Sequence, residues 1–283
     1  MPRPRALDDN RAFMPDVESP PAIPEPAALL PPPSVAEIWR RPLPHLAHQG
    51  ATRFICRTLL TLYRRRFLGF GGGDHVTADR DPFLLAVNHS QRPEAILLPA
   101  WLCFLRGGRM VHFMADWNFQ LIPGVAWIIR LHDPIHVVRK DARPRFLNRF
   151  KSRYRHLDPP FIEARRRLDA GRSVGVFPEA TVNRHPGQLL RGQNGVARLA
   201  LESGVPVVPG GLRFPGHAGE GPIADSAPFA VRFGSPIRSD PTASASASDV
   251  AALHARIMGA ISTLSGKEWQ PDARRTKYVF STT

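Results

Sequence analysis

The chain has 283 residues, 43% of them hydrophobic, and 38 lysines and arginines against 24 acids give a formal net charge of +14. That length fits one large domain, or a domain with appendages, with a substantial core. The positive excess, carried almost entirely by arginine, points to an anionic partner: a phospholipid surface, a nucleic acid or a phosphorylated substrate.

The two cysteines, Cys56 and Cys103, sit in apolar patterns with no metal or redox spacing, so they read as small buried thiols in a reducing compartment. The start, Met1-Pro2-Arg3-Pro4-Arg5, lacks the apolar run of a signal peptide. No stretch reaches the roughly 18 apolar residues of a transmembrane helix, so any membrane contact is expected to be peripheral.

Residues 1–44 hold 12 of the 30 prolines, including Pro31-Pro32-Pro33. Missing N–H groups and fixed φ angles oppose helix and central strand, so a disordered or extended arm is expected. Leu29, Leu30, Ile38 and Trp39 leave docking of that arm open. Residues 45–74 read as a basic amphipathic helix. Ile55, Leu59, Leu62 and Tyr63 recur on one face and Arg53, Arg57 and Arg64 on another, before Gly71-Gly72-Gly73 ends it. A surface helix resting on a core and a membrane-surface helix share that pattern.

Residues 75–240 alternate β-rich and helical stretches. Strands are predicted at 83–87, 134–138, 173–177, 206–209 and 229–233, and helices at 95–104, 161–169 and 192–203. Phe146, Phe150 and Tyr154 predict a further helix inside the basic segment 139–167. The alternation predicts an α/β fold, a layered domain whose central, mostly parallel or mixed sheet is flanked by helices. Residues 241–283 read as an Ala/Ser linker, a helix over 250–264 and a polar tail. No internal repeat is found.

The apolar run 83–87 stops at Asn88 and His89, where the chain leaves the sheet and open α/β folds place their sites. Ser90 suits an N-cap, and Pro93 falls in the first helical turn. Glu94, in the same turn, is favoured by the helix dipole. From there it can bond one nitrogen of His89, fix the tautomer, support the imidazolium and leave the other nitrogen for a substrate proton. Taken alone, the pattern equally describes a surface histidine beside a dipole-stabilising glutamate. A second strand ends at Phe177-Pro178-Glu179, where Pro178 breaks the ladder and puts Glu179 at the strand end or in the loop. A third is bracketed by Pro206 and Pro209.

In this order, across roughly residues 80–240, these blocks resemble the glycerolipid acyltransferase family of the lysophosphatidic acid acyltransferase type. The family's first block is a histidine and an aspartate with four residues between them, matched by His89 and Glu94. An Ala-Lys pair and an apolar stretch with Pro and Gly follow, here Ala115-Asp116 and Ile122-Pro123-Gly124. The second block, an apolar run ending in arginine, corresponds to Ile135 through Arg139. The third, Phe-Pro-Glu-Gly-Thr-Arg, reads Phe177-Pro178-Glu179-Ala180-Thr181-Val182. The fourth is Val205-Pro206-Val207-Val208-Pro209, and Phe233 through Ile237 resembles the closing strand.

The resemblance implies transfer of a fatty acyl group from a thioester, acyl-CoA or acyl-carrier protein, to a hydroxyl of a lysophospholipid or related lipid. It implies no metal and no cofactor beyond that co-substrate. His89 would be the general base and Glu94 its orienting acid, with Asn88 and Ser90 as oxyanion donors or support. Arg139, Glu179, Thr181 and Arg184 would bind the acceptor. An enzyme of this kind is expected in the cytoplasm, peripheral on the inner face of an anionic membrane. Nucleic acid is not an expected partner, since no RNP, zinc-finger or helix-turn-helix signature occurs.

Ala180 in place of glycine fits only if φ there is negative. Val182 in place of arginine and Asp116 in place of lysine point to an acceptor other than lysophosphatidic acid. The competing reading is a catalytically impaired homologue that binds lipid at the membrane surface. A serine hydrolase lacks its G-x-S-x-G elbow, and metal catalysis lacks an H-E-x-x-H pairing.

Overall fold

The structure is a computed structural model and describes residues 28–121, 128, 132–138, 141–142, 144–154, 158–217, 221–242 and 244–272. Seven strands form one sheet: β1 (Phe67–Gly71), β2 (Leu84–Val87), β3 (Val111–Asp116), β4 (Ile135–Val137), β5 (Ser173–Val176), β6 (Val207–Arg213) and β7 (Phe229–Phe233). Their order across the sheet is β1-β7-β6-β2-β5-β3-β4. From β6 to β4 every pairing is parallel; β7 is antiparallel to β6, and β1 is parallel to β7. The fold is the expected α/β layering around a mixed, mostly parallel sheet.

β2 is apolar at every position and buried on both faces, as a central parallel strand must be. Side chains alternate across the pleat, so Leu85 and Val87 enter one core while Leu84 and Ala86 enter the other. The first core is closed by α1 (Val35–Arg40), α2 (Gly50–Tyr63) and α3 (Glu94–Leu105). The second is closed by α4 (Pro160–Asp169), α5 (Gly195–Ser203) and α6 (Ala247–Ser265). α3 is apolar almost all round and is accordingly sunk in the interior. No helix among the described residues is long and apolar enough to cross a membrane.

Several elements differ from the sequence reading. Within the proline-rich zone, Ser34 and Glu37 form a capping box that starts α1, and Ile38 is fully buried. The helix expected over 45–74 is shorter. It stops at Tyr63, and Phe67–Gly71 pairs with β7 as a strand. Gly69 belongs there for a packing reason: its φ is +138°, and a Cβ would lie 2.3 Å from the Leu30 carbonyl oxygen. Residues Ile55, Cys56, Leu59 and Leu60 of α2 face the core, whereas Phe54 and Leu62 are exposed. β3 was not among the expected strands. Arg145–Tyr154 winds as a 3-10 helix rather than an α-helix. α6 begins at Ala247, where Ser246 and Asp249 form a second capping box, and so takes in part of the expected linker.

Candidate active site

β2 and both its neighbours, β5 and β6, run parallel, so their carboxyl ends open on one edge of the sheet. The chain leaves β2 through Asn88. That side chain is buried and continues the ladder after the backbone has turned away: Oδ1 accepts from Leu212 N (2.7 Å) and Nδ2 donates to Leu212 O (3.3 Å). Asn88 thereby clamps the turn to β6.

His89 follows. Its Nδ1 lies 2.6 Å from Glu94 Oε1, and its ring stacks on Phe177 at 4.3 Å between centroids. The His89 side chain is 12% exposed and that of Glu94 is fully buried. Glu94 Oε1 also accepts from the Ser90 backbone N–H, so one oxygen fixes both the ring and the turn. Glu94 Oε2 is buried and has no hydrogen-bond partner among the described residues. A carboxylate accepts a hydrogen bond from the Nδ1–H of a neutral imidazole, so the proton stays on Nδ1 and Nε2 keeps its lone pair. Among the described residues no hydrogen bond engages Nε2.

Glu179 arrives from the end of β5 and holds the same turn from the other side. Its Oε1 accepts from His89 N (3.0 Å), and its Oε2 accepts from Asn183 Nδ2 (2.7 Å) and Leu190 N (2.9 Å). In return Asn183 N donates to His89 O at 2.7 Å. Burial raises the Glu179 carboxyl above its ordinary value, opposed by the His89 and Leu190 N–H groups. The turn that delivers Glu179 passes through Ala180 at φ +54°, so the expected negative φ is not found; alanine occupies the left-handed conformation itself.

Of the remaining sequence candidates, Thr181 is half-buried just after this turn. Arg184 points its guanidinium at Asp225 Oδ1 and the Ile223 carbonyl, both at 2.6 Å. Asp225 in turn accepts from Arg92 N at the approach to α3 (3.0 Å). Arg139 and the Ile122-Pro123-Gly124 stretch lie outside the described residues. Ser90, half of the expected support pair, receives a donor no local pattern announced: Lys267 Nζ reaches Ser90 Oγ at 2.7 Å and the His185 carbonyl at 2.8 Å. Lys267 sits in what the sequence presents as a polar tail, yet it is only 3% exposed. Burial lowers its pKa to about 8, against the pull of Glu179 and Glu94.

The acyltransferase family model matches residues 71–213, just over half of the chain and the stretch holding His89, Glu94 and Glu179. The chain belongs to the acyltransferase family. Among solved structures, the 1-acyl-sn-glycerophosphate (LPA) acyltransferase PlsC from Thermotoga maritima shares the fold. The TM-score is 0.51 at 18% identity, over 79% of this chain and 84% of that one. No curated protein matches the chain. Lys267 and the whole of α6 lie beyond the segment matched by the acyltransferase model.

Proposed function

We propose that this acyltransferase moves a fatty acyl group from a thioester, acyl-CoA or acyl-carrier protein, to a hydroxyl of a lysophospholipid or related lipid. The observation that carries the reading is the 2.6 Å approach of His89 Nδ1 to the buried Glu94, which leaves Nε2 to serve as base. The acceptor hydroxyl gives its proton to Nε2 as its oxygen attacks the thioester carbonyl carbon. Glu94 stabilises the imidazolium that forms, the tetrahedral intermediate collapses, the C–S bond breaks, and the thiolate recovers the proton from Nε2. No acyl group is held covalently by the protein.

In this proposal Asn88 and Ser90 hold the turn that carries the base, joined by Glu179, whose two oxygens are engaged by that turn instead of the acceptor it was expected to bind. Arg139, Thr181 and Arg184 meet the acceptor's polar head. The Arg184 charge is already partnered by Asp225. With valine at position 182, that favours a headgroup less anionic than a terminal phosphate. The +14 net charge and the exposed Trp39, Phe54 and Leu62 support work at the cytoplasmic face of an anionic bilayer.

The test is thiol release from a long-chain acyl-CoA over a panel of lysophospholipids, amino-lipids and sugar lipids. His89→Ala should lower the rate by ~10²–10⁴-fold with the circular dichroism spectrum unchanged. Undiminished turnover in that variant removes His89 from the mechanism. Lipid binding without thiol release from any acceptor would instead favour the catalytically impaired lipid-binding protein.

A further inference from the structure

The region around His89 holds two carboxylates with almost no access to water: Glu94 is fully buried and Glu179 is 2% exposed. Glu179 accepts three N–H donors and donates to none, the pattern of an ionised carboxylate. Two buried negative charges are costly unless a positive charge is nearby. Lys267 is a buried cation whose charge interacts with both.

Its placement is built rather than incidental. α6 ends at Gly266 in the left-handed conformation, and Arg213 caps the last turn by donating Nε to Leu264 O (2.7 Å) and Nη2 to Thr263 O (3.0 Å). Ser262 Oγ donates to the Lys267 carbonyl, and Glu268 pairs with Gly187 and Leu189 through backbone hydrogen bonds of 2.9 and 2.8 Å. The long aliphatic stem is thereby directed inward. Nζ is left on Ser90 Oγ, in the turn whose N–H Glu94 holds, and on the His185 carbonyl, 5.9 Å from the centre of the Phe214 ring, with Glu94, Glu179 and the His185 imidazole within its electrostatic reach.

We propose that Lys267 is a positioning residue of the acyl-transfer site, holding the Ser90 hydroxyl and supplying the positive charge that keeps Glu94 and Glu179 ionised behind His89. The inference rests on the reading of His89 as base. With Glu94, Glu179 and Lys267 ionised and His89 neutral, the cluster carries one net negative charge. When His89 takes the acceptor's proton, the cluster becomes neutral. The two carboxylates therefore favour the state in which the proton has moved over the state before it, and Lys267 serves by keeping both of them charged and in place for that step. Loss of the lysine charge leaves two uncompensated carboxylates. Their mutual repulsion then loosens the turn that holds Glu94 against His89, and the imidazolium loses its support.

With its pKa lowered to about 8, Lys267 loses its charge within reach of ordinary assay conditions. The experiment is a pH profile of kcat/KM for thiol release from a long-chain acyl-CoA, using the acceptor that gives the fastest turnover. Wild type, Lys267→Arg, Lys267→Met and His89→Ala are compared. The wild type should lose activity on an alkaline limb near pH 8. Lys267→Arg, whose charge does not titrate, should keep its activity to at least about one pH unit higher. Lys267→Met should fall at least tenfold at neutral pH and lack the limb. A wild-type profile without an alkaline limb, or a limb that survives in either variant, overturns the proposal. If Lys267→Met does not fold, the wild-type and Lys267→Arg profiles still decide. An active His89→Ala would instead overturn the base assignment itself, so the two failures are distinguishable.

Discussion

Glu94 occupies the position where the family resemblance leads one to expect aspartate, and the geometry uses its extra methylene. One oxygen serves both His89 Nδ1, at 2.6 Å, and the Ser90 N–H. Glu94→Asp withdraws the carboxylate by about 1.5 Å, one C–C bond. The His89 contact would then open to about 4 Å, past hydrogen-bond reach. The expected result is a kcat lowered about tenfold or more, with KM for the thioester little changed, because the loss falls on the imidazolium that forms in the transition state. An unchanged kcat would show that the turn accommodates either acid. Ala180 offers a separate test at the same scale. An L-residue in the left-handed region costs ~1–2 kcal/mol, and glycine gives back ~0.5–1 kcal/mol through its freer unfolded chain. With φ at +54°, Ala180→Gly should raise stability by about 0.5–1 kcal/mol in urea unfolding with the slope m unchanged. A lower urea midpoint would mean the Ala180 methyl contributes packing that outweighs the strain.

The junction of β6 with the end of α6 is the element on which Lys267 depends. A Cβ on Gly211 would lie 2.3 Å from both the Leu264 carbonyl carbon and Ser265 N, which are backbone atoms without room to rotate away. Gly211→Ala must therefore push the helix terminus off the sheet, at a cost of about 1–3 kcal/mol for overpacking. Because Lys267 follows immediately, the variant should lose acyl transfer along with melting temperature; full activity at a lowered melting temperature would uncouple the helix end from the site. This dependence also marks what the sequence could reveal. The end of β2, the His89–Glu94 turn and the Pro178 break are local, so an apolar run, a helix dipole and a missing N–H announce them. β1 is different. Its Phe-Leu-Gly-Phe-Gly run extends the helical spacing of α2 and becomes a strand only because β7 is there to pair with it. Lys267 is more hidden still. It lies 177 residues from Ser90, in a polar tail, and only the packing of α6 on β6 brings the two together.

For the molecule as a whole, acid is the condition that tests how the charges are arranged. Burial is the main cause lowering four histidines, His112, His132, His185 and His254, below their ordinary value. They are spread across the fold: His112 on β3, His132 ahead of β4, His185 beside Lys267 and His254 on α6. In the unfolded chain each takes a proton near 6.5, while in the folded protein each resists until lower pH. Between those limits the unfolded state binds more protons, so stability falls as pH falls. His132 shows the scale. It is 8% exposed, its Nδ1 is buried without a hydrogen bond among the described residues, and its pKa falls from 6.5 to about 4. At ~1.36 kcal/mol for each tenfold change this is about 3 kcal/mol, a large part of the ~5–15 kcal/mol that holds a domain together. Glu179 works in the opposite sense, since its raised carboxyl gives the folded state a proton the unfolded state lacks, but it is one group against four. The formal charge of +14 adds self-repulsion as the imidazoles fill. Urea midpoints should therefore decline steadily from about pH 7 to about pH 4.5, with a slope of more than one proton. His132→Leu should flatten that decline by removing its largest single contributor while leaving stability at neutral pH close to wild type. A wild-type midpoint that does not move across the range, or a His132→Leu variant with the wild-type slope, would mean that these imidazoles reach solvent and protonate in the folded state.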